Sequence, residues 1–284
     1  MNFRWFVKRC LKWGLEWTTE LSGAGILYRR SDYFNHGYRI LTYHHIAKTP
    51  PDSHSLSIKH FQEHIAFLRD HYPVVSLPQL VSGLKNELEL SEGSVCITFD
   101  DGYSEAADSV GEILLKHGVP ACFFVITGVL DGTQKPPYGT DYMNWDDVRN
   151  LKKSGFGVGS HTVTHRSLGN LNPEEMEQEL RGSYNRLFSE LHTPPDGLSY
   201  PYGTYRDFSD LSIATAVKCG YPYAVTAIHG LNQPGCDLFR LKRTTITAGD
   251  GLKTIKMIMR GSLDGWRLAD EWAYRFQRTS SSLE

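Results

Sequence analysis

The sequence predicts a single distorted (β/α) barrel of about seven strands, preceded by an N-terminal amphipathic helix. Short apolar segments of strand length alternate with amphipathic segments of helix length along most of the 284 residues. No shift in composition divides these segments into two groups, which favours one domain over two. A doubly wound open sheet would show the same alternation and is the alternative.

Composition excludes several classes of protein. The chain has 30 basic and 32 acidic residues, so its net charge of −2 gives no electrostatic case for nucleic-acid binding. Its five cysteines contain no CxxC pair, which argues against a disulfide framework and favours a reducing compartment. No run of 18 apolar residues is present, and basic residues interrupt the N-terminus where a signal peptide would be apolar. We therefore expect a cytoplasmic or peripherally membrane-associated protein.

The N-terminal residues 3–21 predict a basic amphipathic helix rich in aromatic side chains. Such a helix can bind a membrane surface or pack on its own domain or a partner, and the pattern fits both. We expect residues 1–37 to form this helix and a linker, residues 38–278 to form the catalytic domain, and residues 279–284 to be a disordered tail.

The first half of the chain shows the alternation of predicted strands and helices. The predicted elements up to the glycine- and tyrosine-rich loop 131–143 are, in order, strand 39–46, helix 58–68, strand 74–75, strand 95–99, helix 104–117 and strand 121–126.

The remaining elements continue the alternation. The best marked helix has Asn172 as N-cap, Pro173 in the first turn and Glu175 in the capping-box position. The others are, in order, helix 145–153, strand 156–160, strand 198–200, helix 209–219, strand 223–226, strand 244–247 and two amphipathic helices within 251–276.

Two adjacent carboxylates, Asp100 and Asp101, follow the apolar strand 95–99 and precede Gly102. In βα architectures ligands bind at the carboxyl ends of the strands, so this pair is a candidate site. The alternative is that the pair caps the helix beginning near Ser104.

Two histidines, His161 and His165, directly follow strand 156–160. Their spacing lets both imidazoles face one point from a helical turn or a tight loop, although a chance pair of surface histidines shows the same spacing. Two histidines and one carboxylate form a catalytic metal site of the zinc-hydrolase kind, with positions open for water and substrate. If Asp101 binds the metal, Asp100 is left beside the metal-bound water as a general base.

Three segments carry a resemblance to a known family. Residues 98–102 (TFDDG) and 160–165 (SHTVTH) resemble the first two motifs of the polysaccharide deacetylases with a NodB-homology domain, carbohydrate esterase family 4, and residues 199–203 (SYPYG) resemble the third. The resemblance covers roughly residues 38–250. It implies one divalent metal ion, zinc, with cobalt, nickel or manganese as alternatives.

The resemblance also implies residue roles. Asp100 is the base, and the metal ligands are Asp101, His161 and His165. The segment of Pro201 and Tyr202 shapes the substrate groove, and the Tyr202 backbone N–H stabilises the oxyanion. Trp145 and Tyr142 take the position of an aromatic motif that lines the sugar groove, although packing is the favoured role for either ring alone.

Two features depart from the family pattern. Ser199 stands where the third motif usually begins with Arg, so the Arg–Asp pair that commonly tunes the base cannot be assumed. The C-terminal Leu-x-His motif that supplies the general acid is missing, because no histidine follows His229. Residues 41–46 resemble instead the N-terminal Tyr-His segment of the circularly permuted branch, which includes the poly-N-acetylglucosamine deacetylases. In a closed barrel the first and last strands are neighbours, so we expect His44 to be the acid, His229 to be the alternative and His45 to face the opposite side.

The function implied is removal of N-acetyl groups from an amino sugar in a polysaccharide, such as an exopolysaccharide, or in an oligosaccharide. An amidase or deacylase acting on a non-sugar amide is one alternative. An inactive carbohydrate-binding relative is another, although the intact set of Asp100, Asp101, His161 and His165 argues against it.

Overall fold

The computed structural model describes residues 14, 28–50, 52, 55–138 and 141–265. Except for Gly14, the predicted helix 3–21 lies outside the described residues, and so does the predicted tail 279–284. The division at residues 37 and 278 therefore stays a prediction.

A curled parallel sheet of seven strands forms the centre of the fold, with the spatial order β8-β7-β6-β5-β4-β1-β9. Every neighbouring pair in it runs parallel, and a bridge from Val225 to Leu241 links the β8 edge to the segment that leads into β9. The predicted single distorted (β/α) barrel of about seven strands is confirmed. The strands are β1 Arg39–Tyr43, β2 Ile46–Ala47, β3 Leu56–Ser57, β4 Val95–Phe99, β5 Cys122–Val125, β6 Gly157–Ser160, β7 Leu198–Ser199, β8 Ala224–Val225 and β9 Thr244–Thr245, of which β2 and β3 form a separate pair.

Helices connect the strands. They are α1 Asp32–Asn35, α2 Ile58–His71, α3 Leu77–Leu84, a π-helix Ala106–Val110 that continues into α4 Gly111–His117, α5 Thr127–Leu130, α6 Trp145–Lys153, α7 Pro173–Leu191, α8 Asp210–Cys219 and α9 Leu252–Met259. The capping box predicted at Asn172 and Glu175 is present at the start of α7. Helices α3 and α5 were not predicted, although Ser76 and Gln79 form a capping box at α3. Helix α9 lies within the predicted 251–276, of which only residues 251–265 are described.

The two faces of the sheet carry different partners. Ile40, Cys96 and Phe124 pack in one buried cluster with α3, whereas Leu41 and Ile97 pack in a larger cluster with α2 and α4. This separation follows from the alternation of side chains along a strand. Because neighbouring strands are parallel, their carboxyl ends meet at one edge of the barrel. No helix in the described part of the chain is both long and apolar enough to cross a membrane.

Candidate active site

Asp101, His161 and His165 meet at the carboxyl edge of the barrel. The Nε2 atoms of the two histidines each lie 3.4 Å from Asp101 Oδ1, and all three side chains are buried. One ligand atom from each residue lies within 4.8 Å of the others, and this is the cluster of metal-ligating side chains found in the described ranges. The three residues can therefore hold a divalent ion, as their spacing in the sequence indicated.

Local backbone geometry brings the three ligands together. Asp101 and His165 adopt the left-handed conformation, with φ of 72° and 62°, which turns each side chain out of the preceding strand or loop. His161 Nδ1 lies 2.8 Å from the carbonyl oxygen of Ser199 and can donate to it. This hydrogen bond leaves Nε2 of His161 as the lone-pair atom that faces Asp101, which is the usual arrangement behind a metal-binding imidazole.

Burial and charge set the protonation of the three side chains. Burial would raise the pKa of Asp101, but the neighbouring imidazoles of His161 and His44 outweigh burial and lower the pKa. Burial lowers the pKa of His165 to about 4, so its ring is neutral at neutral pH and offers a lone pair. Burial also acts to lower the pKa of His161, but the Asp100 and Asp101 carboxylates raise it.

Asp100 is held by Arg243, a residue that sequence analysis did not single out. Arg243 Nη1 donates to Asp100 Oδ1 at 2.8 Å, and Nη2 donates to Oδ2 at 2.6 Å. The Ser199 hydroxyl donates to the same Oδ2 at 3.1 Å. Burial would raise the pKa of Asp100, but the guanidinium outweighs it and holds the pKa well below its usual range. The Arg–Asp pair that could not be assumed from the third motif is therefore present, supplied by the segment before β9.

His44 directly follows β1, which lies next to β4 in the sheet. Because Tyr43 pairs with Phe99, His44 and Asp100 each follow a paired strand residue at the same edge of the sheet. A positive charge on His44 lowers the pKa of both Asp100 and Asp101. His45 has partners of its own, since its Nδ1 lies 3.0 Å from Ser55 Oγ and its Nε2 lies 3.2 Å from Glu105 Oε1. That His44 and His45 face opposite sides stays a prediction.

His229, the alternative acid, lies at the other end of the barrel. Its Nε2 is 3.2 Å from Asp264 Oδ1, and Asp264 also accepts two hydrogen bonds from Arg39. Arg39 is the first residue of β1, whereas His44 follows the last. At about 3.3 Å per residue, the five-residue strand separates the two ends by roughly 13 Å.

Comparisons with known proteins identify the family. The family model for polysaccharide deacetylases matches residues 87–224. The Bacillus subtilis (strain 168) protein YxkH, which is assigned to the polysaccharide deacetylases, is 27% identical over 213 residues, covering 74% of this chain and 71% of that protein. Residues 87–224 therefore form a polysaccharide deacetylase domain. This confirms the resemblance that the three motifs carry and the prediction of a polysaccharide deacetylase enzyme.

Two further comparisons give a partial match in sequence and a match in fold. The chitooligosaccharide deacetylase of a Bradyrhizobium species (strain ANU 289) is 31% identical over 139 residues, and the match spans about half of each protein, 48% of this chain and 55% of the other. The Streptococcus pyogenes deacetylase PplD, solved in complex with acetate, superposes with a TM-score of 0.71 at 22% identity, over 79% of this chain and 99% of that one. At this identity the structural match supports the fold alone.

Aromatic rings surround the candidate centre of this deacetylase. The Tyr202 ring centroid lies 4.9 Å from that of His165, and the side chain is 39% exposed beside buried Pro201. Tyr138, which sequence analysis did not single out, is also exposed, with its ring centroid 6.4 Å from that of His165. The ring of Tyr142 packs 4.9 Å from that of Tyr103.

Trp145 is engaged by other side chains. Its Nε1–H donates to Asp131 at 2.8 Å, and the Arg186 guanidinium lies 4.6 Å from the centroid of its ring. These contacts favour the packing role for Trp145. Sugar binding by this residue stays a prediction.

Proposed function

We propose that this chain is a metal-dependent hydrolase that removes N-acetyl groups from an amino sugar in a polysaccharide or oligosaccharide. The observation that carries the proposal is the buried group of Asp101, His161 and His165 next to an Asp100 whose charge Arg243 stabilises. Attack of water on an amide requires a base that takes a proton from the water and a cation that polarises the carbonyl. This edge of the barrel has a residue that can act as the base and residues that can hold the cation.

The three ligands fit a zinc ion, with cobalt, nickel or manganese as alternatives. Two imidazole nitrogens and one carboxylate oxygen form the donor set of many catalytic zinc sites, and the hydrogen bond from His161 to the Ser199 carbonyl fixes the ring from behind. A divalent ion held there would polarise the acetyl carbonyl and acidify water at the site.

Asp100 is the base in this proposal. Because Arg243 lowers its pKa, the carboxylate is ionised at neutral pH and can accept a proton from the attacking water. Its Oδ1 accepts a hydrogen bond from Arg243 and its Oδ2 accepts from Arg243 and Ser199, so its orientation is set before substrate binds.

Two further groups complete the reaction. The backbone N–H of Tyr202 donates to the oxyanion that forms when water adds to the acetyl carbonyl. His44, as the imidazolium, protonates the departing amine so that the C–N bond can break. The place of β1 between β4 and β9 supports this role, since it sets His44 over the same edge as Asp100. The circular permutation that this assignment implies stays a prediction.

The substrate class rests on the family and on the relatives, one of which is a chitooligosaccharide deacetylase. Exposed Tyr138 and Tyr202 beside His165 also suit the stacking of a sugar ring. Membrane contact through residues 3–21 stays a prediction because those residues, apart from Gly14, are outside the described ranges.

The test is acetate release from a panel of substrates by the metal-loaded protein. The panel holds linear N-acetylglucosamine oligomers of several linkages, the monosaccharide and small non-sugar acetamides, with Asp100→Asn as the inactive control. We expect release from at least one oligomer and little from the acetamides. Turnover of the acetamides alone would favour the non-sugar amidase, and sugar binding without turnover would favour the inactive relative.

A further inference from the structure

A buried carboxylate outside the candidate centre holds the loop that carries both histidines. Glu179 lies on α7 and is only 3% exposed. Its Oε2 accepts hydrogen bonds from the backbone N–H groups of Val163, at 2.9 Å, and Thr164, at 2.8 Å. Its Oε1 accepts a hydrogen bond from the Thr164 hydroxyl.

The loop needs such support because its backbone is strained. Thr162 and His165 both have φ in the left-handed region, at 66° and 62°, which costs a side-chain-bearing residue of the order of 1–3 kcal/mol unless the surroundings enforce it. Glu179 binds the two residues that lie between them. Hydrogen bonds from N–H groups to an ionised carboxylate are about twice as strong as neutral ones, so they suit this task.

The opposite side of the loop is fixed by α5. The N–H groups of Thr127 and Gly128 donate to the carbonyl oxygens of Thr162, at 3.1 Å, and Val163, at 2.9 Å. A Cβ atom at Gly128 would lie 2.6 Å from the Val163 oxygen, so glycine is required for this approach. The backbone of Val163 is thus held on both sides: its carbonyl oxygen accepts from α5, and its N–H donates to Glu179.

We infer that Glu179 is a positioning residue that sets the divalent-ion affinity of the Asp101, His161 and His165 group. This inference rests on the metal centre proposed above. Glu179 acts through the backbone of Val163 and Thr164, which fixes how far His165 Nε2 stands from His161 Nε2. If the carboxylate is lost, the loop can relax, and the free energy of ion binding must then restore its geometry. Partners behind metal ligands typically contribute 10- to 100-fold in affinity.

The test uses the 284-residue chain stripped of metal and titrated with Zn²⁺ and with Co²⁺ by calorimetry. Glu179→Gln removes the charge, so the N–H groups of Val163 and Thr164 lose their charge-assisted hydrogen bonds even where the amide oxygen still accepts from them. We expect its dissociation constant for either ion to rise 10- to 100-fold while the stoichiometry stays at one. The matched control is Glu177→Gln on the same helix, because the Glu177 side chain is 40% exposed and pairs with Arg181 and Lys218. We expect no change in affinity for this variant.

A second measurement, amide hydrogen exchange, reports on the loop in the metal-free protein. In metal-free Glu179→Gln, amide hydrogen exchange in the peptide containing residues 162–165 should be faster than in the parent protein and in Glu177→Gln. If Glu179→Gln does not fold, Thr164→Val replaces it, since it removes only the hydroxyl that donates to Glu179, and we expect a smaller loss of affinity in the same direction.

The outcomes separate this inference from the proposed function. If the parent protein binds one ion, Asp101→Asn abolishes that binding and Glu179→Gln binds as tightly as the parent, the positioning role is wrong and the metal centre stands. If Asp101→Asn binds the ion as well as the parent does, the metal centre itself is wrong.

Discussion

Arg243 and Asp100 form a buried, two-pronged ion pair, with Nη1 2.8 Å from Oδ1 and Nη2 2.6 Å from Oδ2. A buried pair stabilises a protein only if its remaining polar atoms are satisfied. Here Nη1 also reaches the hydroxyls of Thr42 and Thr98, and Nε donates to the carbonyl oxygen of Thr226 at 2.7 Å. The guanidinium therefore links β1, β4 and the region after β8 beneath the candidate active site.

Replacing Arg243 with Lys should lower kcat by about 10²-fold, a part of the 10²- to 10⁴-fold that a positioned base contributes. Lysine keeps the charge but cannot reproduce the planar fork. Because Arg243 lowers the pKa of Asp100, weakening the pair should also move the acidic limb of the pH profile of kcat/KM to higher pH.

The matched control for this variant is Arg39→Lys, which weakens the other buried two-pronged pair, with Asp264 at the far end of β1. We expect it to lower Tm without moving the acidic limb. If the acidic limb of the kcat/KM profile does not move in Arg243→Lys, this arginine supports the fold and does not set the pKa of Asp100.

Replacing His44 with Ala tests the assignment of the acid. The leaving amine must be protonated, so kcat for an N-acetyl amino sugar should fall by about 10²- to 10⁴-fold. The loss should shrink for an activated acetyl ester such as p-nitrophenyl acetate, whose leaving group needs no proton. His229→Gln is the control, because His229 contacts Asp264 at the opposite end of the barrel. Abolished deacetylation in His229→Gln with retained activity in His44→Ala would contradict the permuted arrangement.

Much of this site could be predicted because it depends on local sequence. Asp100 and Asp101 follow a strand that is recognisable from its five apolar or β-branched residues, and parallel pairing then places them at the same edge as His161. The alternation of side chains along a strand predicts that His44 and His45 face opposite sides, and His45 contacts Ser55 and Glu105.

The remaining features depend on long-range packing. Arg243 lies 143 residues from Asp100 in sequence, and its partner becomes evident only when β9 is placed beside β1. Glu179 reads in the sequence as one acidic residue of an amphipathic helix, with no sign that it faces inward. Trp145 fits a sugar-binding position by its place in the chain, yet Asp131 and Arg186 engage its ring.

The buried side chain of His64 makes the stability of the protein depend on pH. It is fully buried on α2, its Nδ1 lies 3.2 Å from the Tyr43 hydroxyl, and burial lowers its pKa to about 4 from an ordinary 6.5. Between pH 6.5 and pH 4, His64 is protonated in the unfolded chain but neutral in the folded protein. The free energy of unfolding therefore falls as pH drops from 6.5 towards 4. By linkage the loss is about 3 kcal/mol.

The measurement is Tm at pH 7 and at pH 4.5 for the parent protein, for His64→Gln and for His71→Gln, which changes an exposed histidine on the same helix. Glutamine does not titrate, so the decrease in Tm on acidification should be smaller in His64→Gln than in the other two. An equal decrease in all three would assign the acid sensitivity to other groups.

Metal content and acetate release, measured together in Asp101→Asn and Asp100→Asn, test the central claim most directly. In the parent protein we expect one equivalent of zinc and acetate release from an N-acetylglucosamine oligomer. Asp101→Asn should lose both, because it removes the carboxylate ligand that faces both histidines. Asp100→Asn should keep the ion and lose activity by about 10²- to 10⁴-fold. Full zinc occupancy in Asp101→Asn, or undiminished turnover in Asp100→Asn, would contradict the proposed division of roles between the two carboxylates.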